Sequence, residues 1–304
     1  MATPEVRTGT VDFDGHQTWY RVTGDLDASA ATGKPPVVVL HGGPGAAHNY
    51  CLAMTGLADD GRAVVHYDQL GCGNSTHLPD ADPGFWTVDL FVREFRNLVG
   101  ALGIERFHLL GQSWGGMLGP EVVLADDTGV ASLSICDSPA SMALWLEAAN
   151  TLREQLPPEV QRTLLEHEAA GTTDSQEYVA AMDVFYGRHV CRARPVPPEV
   201  TASFAQIDDD PTVYHTMNGP SEFHVVGSLK EWSVVDRLDG IRVPTLVVAG
   251  AYDEAMPIVW QPFLDRIADV RSHVFAGSSH MPHVEEPEEF TRVVGGFLRE
   301  HDPH

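Results

Sequence analysis

The sequence predicts an α/β fold: a mostly parallel β-sheet covered by helices on both faces and interrupted by an all-helical insertion. Three observations carry this. Short, largely apolar runs recur along the chain: VVVL (37–40), AVVHYD (63–68), FHLL (107–110), ASLSIC (131–136), TLVVAG (245–250) and SHVFA (272–276). Runs of this length without polar alternation read as strands buried on both faces. Helix-like segments at 87–100, 114–125, 258–268 and 287–300 lie between several of them, the alternation of a parallel sheet. The alternation stops between about 139 and 232, a span rich in Leu, Glu, Ala and Gln with Pro-Pro at 157–158 and 197–198 and no buried strand.

The remaining elements follow from local chemistry. The segment to Val22 reads as a β-hairpin turning near Asp14-Gly15, since Asp-Gly suits a tight turn with positive φ. DLDASAATGKPP (25–36) reads as a polar connector. The expected division is a core of 1–138 and 233–304 with a helical cap of 139–232. An insertion at that point would sit over the strand ends, where open α/β sheets bind ligands.

Bulk properties exclude several function classes. Nineteen Lys and Arg against 43 Asp and Glu give a formal charge of −24. That field repels nucleic acid and anionic membranes and favours cationic ligands. The opening MATPEVRTGTVDFDG lacks the basic start and apolar core of a signal peptide, and no run reaches the length of a spanning helix. Cysteines 51, 72, 136 and 191 are far apart and form no Cys-x-x-Cys, so they are expected to be reduced and structural. Together these point to a cytoplasmic protein.

The chemistry starts at Gly111-Gln112-Ser113-Trp114-Gly115, a Gly-x-Ser-x-Gly that follows a predicted strand and opens a predicted helix. A sharp strand-to-helix turn strains the serine and exposes its Oγ at the helix N-terminus, and the flanking glycines remove the clashes. A tetrahedral oxyanion needs two preorganised donors. The Trp114 N–H supplies one, and HGGPG (41–45) is placed for the other, with Gly43 the chosen donor.

A base and an acid must follow in the order Ser, Asp or Glu, His. AGSSHMPHVEEPEE (276–289) offers His280 and His283. His280 follows the last strand by a short loop of small residues and is the expected base. His283, past Pro282, is expected to cap the following helix or face solvent. The His-x-x-His spacing is not read as a metal site, because no predicted helix aligns the pair. Asp253, after TLVVAG, is the expected acid, holding the imidazole tautomer, with Glu254 its rival.

These motifs together resemble the proline iminopeptidase family of α/β-hydrolases, which includes tricorn-interacting aminopeptidases and some amino-acid amidases. The match rests on LHGGPG (40–45), YDQLGCGNS (67–75), GQSWGGML (111–118), MNGPSEF (217–223), PTLVVAGAYDE (244–254) and SSHMPHVEEP (278–287). The resemblance implies an α/β-hydrolase core and release of an N-terminal residue, often proline, through an acyl-enzyme. It assigns Ser113 as nucleophile, Asp253 as acid, His280 as base, and Gly43 and Trp114 as oxyanion donors. In such enzymes glutamates bind the free α-amino group of the substrate, and these match Glu222 and Glu254.

Residue chemistry agrees with that implication. If Asp253 faces His280, an extended segment would turn Glu254 away from it, into the cleft. A buried carboxylate there needs a counter-charge, which a substrate ammonium supplies. The expected substrate is a small peptide or aminoacyl amide, with no metal or organic cofactor. The aromatics Phe85, Trp86, Trp114, Tyr186, Phe204, Tyr214, Phe223 and Trp232 are expected to be mostly packing, with Trp114 the best claimant to a first-residue pocket. Tyr67-Asp68-Gln69 and Gly71-Cys72-Gly73 are assigned to scaffold. The alternatives are cleavage of an aminoacyl group from a non-peptide small molecule, a plain esterase, and a non-catalytic binding protein on this fold.

Overall fold

Hairpin chemistry sets the first edge of the sheet. In the computed structural model, which describes residues 5–303, β1 (Val6–Phe13) and β2 (His16–Thr23) pair antiparallel. Asp14 and Gly15 between them both have positive φ, 48° and 86°, as a two-residue turn requires. The expected polar connector is instead partly helical: α1 (Leu26–Ala31) forms because the Asp25 carboxylate accepts hydrogen bonds from the Asp27 and Ala28 amides. A single capping side chain outweighed the polar composition.

The other strands are β3 (Val37–Leu40), β4 (Val64–Tyr67), β5 (Phe107–Gln112), β6 (Val130–Cys136), β7 (Thr245–Gly250) and β8 (Val270–Phe275). All eight form one sheet in the order β1-β2-β4-β3-β5-β6-β7-β8. From β4 to β8 every pairing is parallel, and only the hairpin and β2–β4 are antiparallel. The chain leaves β3 toward β4 on one side and returns to β5 on the other. The order therefore reverses at β3, and the loops after β3 and β5 open a crevice at that switch point.

Side-chain alternation splits the core between the two faces of the sheet. Val38, Leu40, Val65, Leu109, Leu133 and Val247 join one cluster with α2 (Val88–Ala101), α3 (Trp114–Ala125) and later α9 (Pro257–Arg266). Val37, Val39, Val64, Leu110, Leu246 and Val248 join the other, against Phe290, Val294 and Phe297. Each large apolar side chain buried this way contributes about 1.5–3 kcal/mol.

Between β6 and β7 the described chain is helical: α4 (Met142–Arg153), α5 (Pro158–Ala170), α6 (Gln176–His189), α7 (Pro198–Asp209) and α8 (Thr212–Met217). These helices share a cluster of their own around Leu164, Tyr178, Phe185 and Phe223. After β8 come α10 (Pro282–Glu285) and α11 (Pro287–Glu300). Periodicity did not signal the 3₁₀ segment His48–Asp60, which buries Tyr50, Cys51 and Met54 under the second cluster.

Candidate active site

The turn from β5 into α3 places Ser113 at φ 56°, ψ −122°, a left-handed conformation that costs a non-glycine residue free energy. Two backbone approaches hold it. A Cβ on Gly111 would collide with the Gly115 carbonyl, and one on Gly115 with the Leu40 carbonyl. Ser113 N–H donates to the Cys136 carbonyl at 2.9 Å, and Ser138 Oγ donates to the Ser113 carbonyl at 2.8 Å. The elbow is thus tied to the end of β6.

A relay of hydrogen bonds fixes the neighbouring loops. Gly42 N–H donates to Tyr50 Oη at 2.6 Å. That hydroxyl donates to Gln112 Oε1 at 2.5 Å, and Gln112 Nε2 donates to the His280 carbonyl at 2.8 Å. The HGGPG loop, the elbow and the histidine loop therefore share one rigid network. Gly43, at φ 111°, lines the same cavity as Ser113.

His280 is buried, and its Nδ1 lies 2.7 Å from Asp253 Oδ1, which also accepts the Ala255 N–H at 2.9 Å. Burial alone would lower the histidine pKa, but the charge and hydrogen bond of Asp253, with Glu222 and Glu285 behind, hold it above its ordinary value. The partner of His280 is Asp253 and not Glu254. His283 does not face solvent: it is fully buried, its Nε2 is 3.1 Å from the Tyr50 carbonyl, and burial lowers its pKa to about 3. The apolar surroundings of α10 won over the polar residues flanking it in sequence.

Glu254 is also buried, and neither of its carboxylate oxygens has a hydrogen-bond partner. Its expected direction needs correction. Glu254 lines the cavity, yet its Oε1 is 3.9 Å from His280 Nε2, so it does not turn away from the imidazole. The chain bends at 254–255, so strand alternation no longer applies there. Burial, then Glu222 and Asp253, push the Glu254 carboxyl well above the ordinary range.

Glu222 reaches the same cavity from the segment after α8. Tyr214 Oη donates to Glu222 Oε1 at 2.7 Å, Trp145 Nε1 donates to its carbonyl at 2.7 Å, and its N–H donates to Tyr186 Oη at 3.3 Å. Burial raises its pKa, partly offset by the Tyr214 hydroxyl and by His280. Val190, Val200, Phe204, Ile207 and Met281 form the apolar wall of this cavity.

His189, the last residue of α6, bridges the loops. Its carbonyl accepts from both Glu254 N–H (3.3 Å) and His280 N–H (3.2 Å), and its Nδ1 lies 3.0 Å from the Tyr252 carbonyl. Trp114 is buried, donating from Nε1 to Gln69 Oε1 at 2.8 Å, and lines a smaller cavity with Met117, Met142 and Trp145. Asp68 accepts from the amides of His48 and Asn74, a scaffold role. Sequence reasoning missed Tyr50, Gln112, Asp137 and His189; it named Phe204, Tyr186 and Tyr214 among aromatics that could wall a first-residue pocket or simply pack, and Phe204 and Tyr214 do line the cavity.

Among the described residues, no group of three or more His, Cys, Asp and Glu side chains could hold a metal ion, and no helix is long and apolar enough to cross a membrane.

Residues 35–287 match the family described as the alpha/beta hydrolase fold. A proline iminopeptidase of Lactobacillus helveticus is 34% identical over 98% of this chain and 99% of its own. Among solved structures, VinJ superposes with a TM-score of 0.94 at 54% identity, covering 98% of this chain and 99% of its own. The proline iminopeptidase of Mycobacterium smegmatis superposes with a TM-score of 0.89 at 56% identity, covering 97% and 99%. With its serine elbow at the switch point and its buried acids beside it, this chain belongs to the proline iminopeptidase family of α/β-hydrolases.

Proposed function

We propose that this enzyme is a serine aminopeptidase that removes an N-terminal proline, or another small or apolar residue, from a peptide or aminoacyl amide. Residues 1–138 and 233–304 form the catalytic core in this reading, and 139–232 a cap that closes over it. The observation that carries it is Glu254, a buried carboxyl with no partner in a cavity it shares with Glu222, Ser113 and His280. A plain esterase has no use for two buried carboxyls there, whereas a substrate ammonium gives both a counter-charge. Related proteins named proline iminopeptidase support the same substrate class.

Ser113 Oγ attacks the carbonyl carbon of the first residue while His280 Nε2 takes its proton. The Gly43 and Trp114 amides hold the oxyanion. Asp253 keeps Nδ1 protonated and stabilises the imidazolium. His280 then protonates the leaving nitrogen, the C–N bond breaks, and an acyl-enzyme remains. Water, deprotonated by His280, releases the amino acid. Clamping the ammonium between Glu222 and Glu254 sets the distance to the serine, so only the first carbonyl is presented.

The test is a panel of aminoacyl anilides, each free and N-acetylated. Cleavage of free prolyl and small aminoacyl anilides, lost in Ser113→Ala by about 10⁴-fold or more, is the expected result. Equal cleavage of the acetylated set would overturn the amine requirement.

A further inference from the structure

We propose that Asp137 is a positioning residue whose buried carboxyl group donates its proton to the free oxygen of Asp253, holding the acid in line with His280. The inference rests on the reading of Asp253 and His280 above but not on the identity of the substrate.

Asp137 directly follows β6. It is fully buried and adopts φ 54°, a conformation that a non-glycine residue keeps only when its surroundings enforce it. Its N–H donates to the Val248 carbonyl at 2.8 Å, which sets it beside the end of β7, and β7 leads directly to Asp253. The residues on either side of it touch the nucleophile backbone, through the Cys136 carbonyl and the Ser138 hydroxyl.

The Asp137 and Asp253 side chains lie within hydrogen-bond reach of each other across this junction. Asp253 Oδ1 is engaged by His280 Nδ1 and the Ala255 amide, while Oδ2 is buried without a partner. Both carboxylate oxygens of Asp137 are likewise buried and unpartnered. Two carboxyl groups facing one another in a dry site cannot both ionise, and one proton shared between them satisfies an oxygen on each. The other groups around Asp137 leave the proton with it. Burial, Asp253 and Glu285 on α10 all raise its pKa well above the carboxylate range. Cys136 and Tyr50 are held neutral by burial. Asp253 is the member of the pair hydrogen-bonded to His280, so the shared proton is assigned to Asp137.

The consequence is mechanical. A carboxylate anchored at both oxygens cannot rotate about its χ2 and keeps Oδ1 aimed at Nδ1. The neutral donor leaves the charge next to His280 unchanged.

The test uses the intact enzyme and reads the pH dependence of Ser113 labelling by a small fluorophosphonate, which needs the base and acid but no amine clamp. It therefore stays interpretable if the aminopeptidase reading fails. Asp137→Ala should slow labelling about 10- to 100-fold, the loss expected for a hydrogen bond to a charged group. Asp137→Asn, which keeps a neutral donor, should rescue the rate to within about threefold of the native enzyme with its acidic limb in the same place. An Asn variant as slow as Ala would overturn the proposal. So would an acidic limb displaced to lower pH in Asn, because that displacement means Asp137 carries a charge that supports the imidazolium. Native labelling rates in Ala would overturn it too. Should Asp137→Ala fail to fold, the Asn profile decides alone.

Discussion

Asp253 and Glu254 are neighbours in the chain yet approach opposite nitrogens of one imidazole: Asp253 Oδ1 lies 2.7 Å from Nδ1 of His280, and Glu254 Oε1 lies 3.9 Å from Nε2. The first is a hydrogen bond. The second sets a buried carboxyl beside the nitrogen that acts as base in the proposed mechanism. In the proposed mechanism an ammonium drawn to Glu254 therefore arrives beside the nitrogen that takes the serine proton. Removing one side of a buried charge contact typically costs about 2–5 kcal/mol. Glu254→Ala is expected to lower kcat/KM for free aminoacyl anilides by that amount and to spare simple acyl esters. Parallel loss on both substrate types would remove the amine clamp from consideration.

The same residue should limit stability. The folded-state pKa of Glu254 is raised above its ordinary 4.5, so the folded protein binds a proton more tightly than the unfolded chain. Stability then falls as pH rises from about 4.5 through the folded-state value. Glu254→Gln removes this cost. It should stabilise the free enzyme by about 1–3 kcal/mol at pH 8, with little gain at pH 4. Denaturant midpoints at the two pH values measure the difference, and a variant less stable than the native enzyme at pH 8 would contradict it.

For His280 the pKa is raised as well, and the consequence falls on the rate. Catalysis needs the neutral imidazole, and its pKa is held above 6.5, largely by Asp253 acting against burial. The rate should fall on the acid side through a pKa above 6.5 and on the alkaline side as the substrate amine, with a pKa of about 7.7–8.0, loses its proton. Asp253→Asn should lower kcat by about 10⁴-fold and move the acidic limb to lower pH. A limb that stays in place would assign the perturbation to another group.

Tyr50 joins the Gly42 amide to Gln112 through one hydroxyl. Tyr50→Phe leaves both groups buried and unpaired, a cost of about 1–3 kcal/mol in stability. Because the relay reaches the His280 carbonyl, kcat should also fall, by roughly tenfold. Unchanged kcat in a destabilised variant would make the relay purely structural.

The fold, and the candidacy of Ser113, Asp253 and His280, were legible because their signals are local. A buried run, a glycine-flanked serine and a helix are contiguous, and the chain order Ser113, Asp253, His280 needs no knowledge of packing. What stayed hidden depends on contacts distant in sequence. Tyr50 meets Gln112 across 62 positions and His283 across 233. Asp137 is held by β7, 111 positions away at Val248. Direction was half legible: Glu254 reaches the cleft with Glu222, but a bend after Asp253 cancelled the alternation that should have turned it away from the imidazole. The 3₁₀ segment His48–Asp60 carried no period to detect.

One carbonyl, that of His189, holds the amides of both Glu254 and His280. It belongs to the last turn of α6, a helix of the insertion and not of the sheet. Moving α6 away would release both loops in one step, and with them both the grip on the amine and the alignment of the base. A single backbone oxygen outside the sheet thus sets the spacing between the two loops that carry Glu254 and His280.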